Sequence, residues 1–438
     1  MSMNSPSVAE DASGRGFAAR ERLIVLTMIV ALFIFGAVLS AVHKDVSQGF
    51  DEVAQSSYVA EMQRGGAVWP NLNALHLLDP RTFRFTERAN YLNHPPLYYL
   101  VLARLGPRLE GHPQALLFFR LANVLLAAIG LAASLAIGFY ARFGRLQLYA
   151  YAVPLLCIPV LAPLAGAINN DNAAFCGGAI ALIGLFRLLT TGRQLWLYTA
   201  LAGAIMAGWA KLTGLILTET IVTAVVLYMI WRKQFRREWI TPAIVATVLA
   251  VLPYAIFVAQ YGSPAPDTAA QEALLHSGSH FAGWASAPRL SPPAYAGQFV
   301  VRFVAEWMPT LMPRSPFQYA MLLIPVAALI CAAMGVWMPA HRFARREEQP
   351  LDVIILAGVL ALAVTFACHI IFSYERHLAT GWMMDAYPRY YLPLAAIVPL
   401  CGLSAASTLR NPRLRATLLA FLIVGPILFR FFGAPLSF

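Results

Sequence analysis

The chain has 438 residues, 59% of them hydrophobic and only 12% charged, with a formal net charge of +11. Soluble globular chains carry roughly 25% charged residues, so this composition excludes an ordinary soluble enzyme. It describes an all-α polytopic membrane protein, a single transmembrane domain over 1–438 with no soluble segment large enough for a core of its own.

In chain order, residues 1–22 form a polar tail holding Arg15, Arg20 and Arg22. The apolar run after it is long and no small-residue motif closes it, so no cleavable signal peptide is expected. A bilayer core of about 30 Å needs some twenty apolar residues per helix. On that basis eleven spans are expected, near 23–42, 114–140, 146–165, 172–189, 195–210, 212–231, 239–260, 317–338, 351–372, 388–408 and 414–432. The span at 195–210 is the shortest and ends against Lys211. The long polar segments 43–113, 261–316 and 373–388 then share one side. The short loops opposite carry Arg142, Arg145, Arg232, Lys233, Arg236, Arg237, Arg342, Arg345 and Arg346. This asymmetry puts the N-terminus in the cytoplasm and the long loops outside, and it accounts for the basic charge without nucleic acid. The cysteines (157, 176, 331, 368 and 401) lie in apolar runs without paired spacing and read as core residues.

The first outer loop opens GFDEVAQSSYVAEMQRGG. Asp51 and Glu52 stand at the membrane edge, where ionisable groups are costly to desolvate. The residues after them suggest an amphipathic surface helix from Val53 to Arg64, with Val53, Tyr58, Val59 and Met62 on its apolar side. An acid at the start of such a helix either is simply solvated or acts as a general base on a hydroxyl. Neighbouring acids point in different directions, which favours one of the two as the base, Asp51. His94 precedes Pro95 and Pro96, which stop a helix and hold the histidine in a rigid loop beside Tyr98 and Tyr99. The run Asn169-Asn170-Asp171-Asn172 is either turn and cap chemistry or part of a site. Lys211 either snorkels to the interface or pairs with an anionic phosphate. Arg389, beside Tyr390, is either an aromatic-belt anchor or a two-pronged phosphate grip. Glu375, Arg376, His377 and Asp385 share its loop without rank, and Arg302 and Glu306 read as structural. No phosphate-binding Gly-rich loop, HExxH helix, GxSxG elbow or CxxC pair stands in a supporting context. A transporter would spread its ionisable groups near the midplane of two repeated halves. No repeat is evident here, so a flippase of lipid-linked sugars is the alternative reading rather than the first.

Phe50-Asp51-Glu52, NHPPLYY at 93–99, Arg120, NNDN at 169–172, GWAKLTG at 208–214 and PRYYLPL at 388–394 together resemble the GT-C class of integral-membrane glycosyltransferases. Within that class the chain is similar to the bacterial branch of aminoarabinose transferases and protein O-mannosyltransferase relatives. The resemblance implies a GT-C-like bundle with amphipathic juxtamembrane helices in the first outer loop, in a bacterial inner membrane. It implies a polyprenyl-phosphate sugar as donor, a lipid or glycan acceptor, transfer with inversion, and an acid after the first span, Asp51 or Glu52, as the catalytic group. Lys211 and Arg389 would hold the phosphate; His94, Tyr98, Asp171 and Tyr390 would contact substrate. No cofactor is expected; a divalent metal at Asp51 and Glu52 stays open, although two adjacent acids make a poor site. The chain departs from larger relatives in lacking a soluble outer C-terminal domain, which favours a small or lipid acceptor over a folded protein.

Overall fold

The computed structural model describes residues 18–65, 67–270, 273, 288–307, 315–381 and 386–434; Asp385 lies outside them. Long helices dominate. The first, α1 (Ala19–His43), has twenty-five residues and turns Leu26, Ile29, Phe33, Ala37 and Ala41 inward at three- and four-residue spacing. Leu23, Met28, Leu32 and Phe35 face outward, as befits a helix whose other side meets lipid. The bundle continues with α4 (Leu116–Tyr140), α5 (Arg145–Leu156), α6 (Leu161–Ala165), α7 (Asp171–Thr191), α8 (Gln194–Ala210), α9 (Leu212–Trp231) and α10 (Ile240–Tyr261). After α11 (Pro292–Ala305) come α12 (Pro316–Met321), α13 (Leu323–Gly335), α14 (Trp337–Ala344), α15 (Pro350–Thr380), α16 (Ile397–Thr408) and α17 (Pro412–Leu428).

Among the described residues, eight helical stretches are long and apolar enough to cross a bilayer. A ninth counts if the 3-10 turn Pro388–Leu394 and α16, bent by 68°, form one span. The eleven expected spans are therefore not all found as continuous helices. The one expected at 146–165 contains Pro154 and breaks into α5 and α6, since proline removes an internal hydrogen bond and crowds the preceding turn. The helix at 194–210 has only 17 residues. The expected loop 373–388 is in part helix, because α15 runs on to Thr380.

The long segment after α1 also differs from expectation. It folds into a small lobe of α2 (Glu52–Gln63), the antiparallel hairpin β1 (His76–Leu78) and β2 (Phe85–Ala89), and α3 (Leu97–Leu105). Tyr58 and Tyr99 stack at 3.9 Å in its core with Leu72, Leu75, Phe83 and Leu109. Helix α2 is not a surface helix: Ala54, Gln55, Ser56, Ser57, Tyr58, Val59 and Ala60 are all buried. Its polar face is covered because the hairpin sits on it, with the Leu78 N–H donating to Ser57 Oγ at 2.7 Å.

Two glycines allow close approaches within the bundle. A Cβ on Gly166 would stand 2.7 Å from the Ala41 nitrogen, so the chain before α7 lies directly on the end of α1. A Cβ on Gly178 would meet Pro393 Cβ at 2.4 Å, so the Pro388–Leu394 turn rests on the backbone of α7.

Candidate active site

Asp51 and Glu52 separate at once. Phe50 and Asp51 both adopt left-handed backbone, φ 59° and 56°, which is uncommon outside glycine and tends to mark constrained, functional positions. The turn sends the two carboxylates to different surroundings.

Glu52 is 1% exposed. Arg120 of α4 grips it with two prongs, Nε to Oε1 and Nη2 to Oε2, both at 2.8 Å. The Ile168 N–H donates to Oε1 at 3.0 Å and Lys44 Nζ lies 3.1 Å from Oε2. Arg120 Nη1 also donates to the carbonyls of Ala41 and Lys44, which terminate α1. Arg120 and Glu52 thereby tie α1, α2, α4 and the approach to α7 into one buried knot.

Asp51 stays half open, its side chain 41% exposed. Tyr91 donates its hydroxyl to Oδ1 at 3.0 Å and Arg389 Nη2 donates to Oδ2 at 3.1 Å. Burial and then the Asp51 charge push the Tyr91 hydroxyl well above the ordinary tyrosine range, so it remains a donor. Arg389 reaches onward: its Nε stands 3.4 Å from Asp171 Oδ2, and neither atom makes a hydrogen bond. Lys211 Nζ donates to Asp171 Oδ1 at 2.8 Å and lies 3.6 Å from the Tyr390 ring centroid. The result is a continuous chain, Tyr91–Asp51–Arg389–Asp171–Lys211. Its two carboxylates balance its two cations.

The NNDN run holds this chain together. Asn169 Nδ2 donates to the Phe50 carbonyl at 2.7 Å, fixing the left-handed turn, while its Oδ1 accepts the Asp171 N–H. Asn170 Nδ2 donates to the Ala210 carbonyl at 2.6 Å, fixing the residue before Lys211. Lys211 itself is extended, φ −163° and ψ 147°, in the break between α8 and α9. The run is therefore turn chemistry and scaffold at once: two asparagines hold the backbone beside Asp51 and Lys211, and Asp171 joins the charges.

Of the residues singled out from sequence, Asp51, Asp171, Lys211, Arg389 and Tyr390 meet here. His94 stands close enough for its titration to sense Lys211, Arg389 and Asp51. Burial first, and then the two cations, bring it down to about 3, so it is neutral near pH 7. Tyr98 is not brought to the chain; its hydroxyl donates to Asn123 Oδ1 at 2.7 Å in the interior. Arg376 pairs instead with Asp267, and His377 Nε2 accepts the Leu290 N–H. Sequence reading missed Tyr91 as a support, and left Asn169 and Asn170 between turn chemistry and a part in the site. Tyr91 is forty residues from Asp51 and carries no local signal. Among the described residues no three His, Cys, Asp or Glu side chains converge to hold a metal ion. The Asp51–Glu52 pair does not fit one, because both Glu52 oxygens are already engaged.

No protein-family profile matches the sequence, and no curated protein matches it. Among solved structures the chain is similar to ArnT from Cupriavidus metallidurans bound to undecaprenyl phosphate, at 15% identity and a TM-score of 0.49 over 90% of this chain. It is similar also to the same protein in the apo state, at 16% identity and a TM-score of 0.49 over 92% of this chain. The chain spans 62% and 63% of the length of those two chains.

Proposed function

We propose that the protein is a membrane glycosyltransferase that moves a sugar from a polyprenyl-phosphate donor to a hydroxyl of a lipid or glycan acceptor, on the extracytoplasmic face of a bacterial inner membrane. The observation that carries this reading is the half-open Asp51 carboxylate set within 3.1 Å of Arg389 and joined through Asp171 to the buried Lys211. A base and two phosphate-binding cations in one cluster are what glycosyl transfer from a phosphate needs.

Asp51 takes the proton of the acceptor hydroxyl. The acceptor oxygen bonds to the anomeric carbon from the side opposite the phosphate, so the configuration inverts. The bond from that carbon to the phosphate oxygen breaks, and its electron pair leaves on the phosphate. Lys211 and Arg389 stabilise the charge that develops there. Tyr390 orients Lys211 across its ring, and neutral His94 offers a hydrogen-bonding edge without adding charge. Glu52 has a structural part in this scheme.

The test is transfer by the purified full chain from a polyprenyl-phosphate sugar to a membrane extract. Labelled sugar should appear in an acceptor fraction. Recovery of the donor unchanged, or its movement across a vesicle membrane without bond cleavage, would contradict the reading.

A further inference from the structure

Both oxygens of Asp51 are engaged, one by Tyr91 and one by Arg389. A carboxylate whose oxygens face a hydroxyl donor and a guanidinium is well placed but weakly available to a third partner. Arg389 is shared between two acids: it holds Asp51 at 3.1 Å and stands 3.4 Å from Asp171, where its Nε makes no hydrogen bond. It is also the more accessible route into the cluster, because Asp51 opens to the outside while Asp171 and Lys211 lie beneath. A phosphate entering from that side meets the Arg389 prong that Asp51 now occupies.

We infer that the donor's phosphate and the Asp51 carboxylate compete for Arg389, so that phosphate binding is the event that frees Asp51 to receive a proton. This deepens the functional reading above and rests on it. Asp51 holds one Arg389 prong, Nη2, so a phosphate that grips the guanidinium in its two-pronged geometry through that nitrogen must displace Asp51. When the phosphate takes it, Asp51 keeps Tyr91 and turns Oδ2 free toward the acceptor hydroxyl. Charge then moves in one direction. Asp51 becomes neutral as it takes the proton, the phosphate gains the negative charge, and Arg389 is already beside it. The consequence is an order of binding, donor first and acceptor second.

The competition has a signature that a simple loss of the base does not. Asp51→Asn keeps the shape, and asparagine tolerates the left-handed backbone, so the variant removes the competitor and leaves Arg389 in place. It should bind a polyprenyl monophosphate about three- to tenfold more tightly than wild type, although it does not turn over. Tyr91→Phe leaves the Arg389 pair intact and should bind that lipid as wild type does. In an Arg389→Gln background the gain from Asp51→Asn should vanish. The matching polyprenol, without phosphate, should show no gain in any variant. If Asp51→Asn does not accumulate as folded protein, Asp51→Gly, which also suits φ 56°, supplies the same comparison.

Unchanged or weaker phosphate binding in Asp51→Asn would overturn the inference, and so would a gain that persists without Arg389 or appears equally with the polyprenol. Failure of the wild-type protein to bind polyprenyl monophosphate at all would overturn the functional reading too, which separates the two failures.

Discussion

Two neighbouring acids sit in two ion-pair clusters, and the contrast between them shows how adjacent carboxylates can be left in very different states of engagement. A carboxylate has roughly four lone-pair sites. Glu52 fills three of them, with Arg120 twice and the Ile168 N–H, and has Lys44 Nζ beside it as an ion pair, in a site 1% exposed. Asp51 fills two, with Tyr91 and Arg389, and its side chain is 41% exposed. Each acid holds an arginine from a distant helix or turn. The difference lies in what remains free, and it is set by a left-handed turn at Phe50 and Asp51 that aims one side chain inward and the other outward.

The contrast is most sharply broken by attacking the knot. Arg120→Leu strips Glu52 of its fork and leaves a buried charge, which costs about 3–5 kcal/mol. Folded protein recovered in detergent should fall steeply, while Arg108→Leu, a similar change at an arginine whose side chain is 69% exposed, should be tolerated. Equal recovery of the two would mean that the knot is not structural.

On the other side of the contrast, changes in the chain from Asp51 to Lys211 should weaken ligand binding. Lys211→Ala and Arg389→Lys should each weaken polyprenyl-phosphate binding by about tenfold to a hundredfold, the range for one charge-assisted contact. Arg389→Lys remains impaired because an ammonium lacks the guanidinium's two prongs. An interfacial anchor would tolerate that exchange with unaltered affinity.

His94 gives a proton-linked prediction of intermediate size. Its folded-state value is depressed to about 3, against about 6.5 in an unfolded chain. The unfolded state therefore binds a proton first as pH falls, so the stability this histidine contributes is present above pH 6.5 and lost progressively toward pH 3. At pH 5.5 the loss should be about 1 kcal/mol, and His94→Gln should remove that part of the pH dependence. Parallel melting curves of the two proteins between pH 7.5 and 5.5 would show no His94 effect.

Tyr91→Phe should have the smallest effect. The hydroxyl orients Asp51 without being its only partner, so turnover should fall by about tenfold, the low end for one hydrogen bond to a charged group, with donor affinity kept. A fall in affinity instead would place Tyr91 on the donor.

Much of this architecture is legible in the chain itself. Apolar runs mark α1, α4, α7, α9 and α10 because a membrane core leaves little else for them to be. Asp51, Asp171, Lys211 and Arg389 stand out because each is an ionisable group beside such a run. The breaks are less legible: the end of α5 needs both Pro154 and its neighbours, and the bend after Pro388–Leu394 depends on Gly178 beneath it. The lobe after α1 is hidden because the β-hairpin that covers α2 has no long alternating pattern. The division of labour between Asp51 and Glu52 is hidden for a deeper reason. It depends on Arg120, Lys44 and Ile168, residues that reach Glu52 only once α1, α4 and the approach to α7 have met.

The central claim is that Asp51 is the reactive acid and Glu52 the structural one. It is tested most directly by measuring sugar transfer and thermal stability side by side for Asp51→Asn and Glu52→Gln. Asp51→Asn should lose two to four orders of magnitude in turnover, the usual worth of a general base, with a melting temperature near that of wild type. Glu52→Gln should lose stability first, and whatever fraction folds should still transfer sugar. Full turnover in Asp51→Asn, or a stable but inactive Glu52→Gln, would contradict the account.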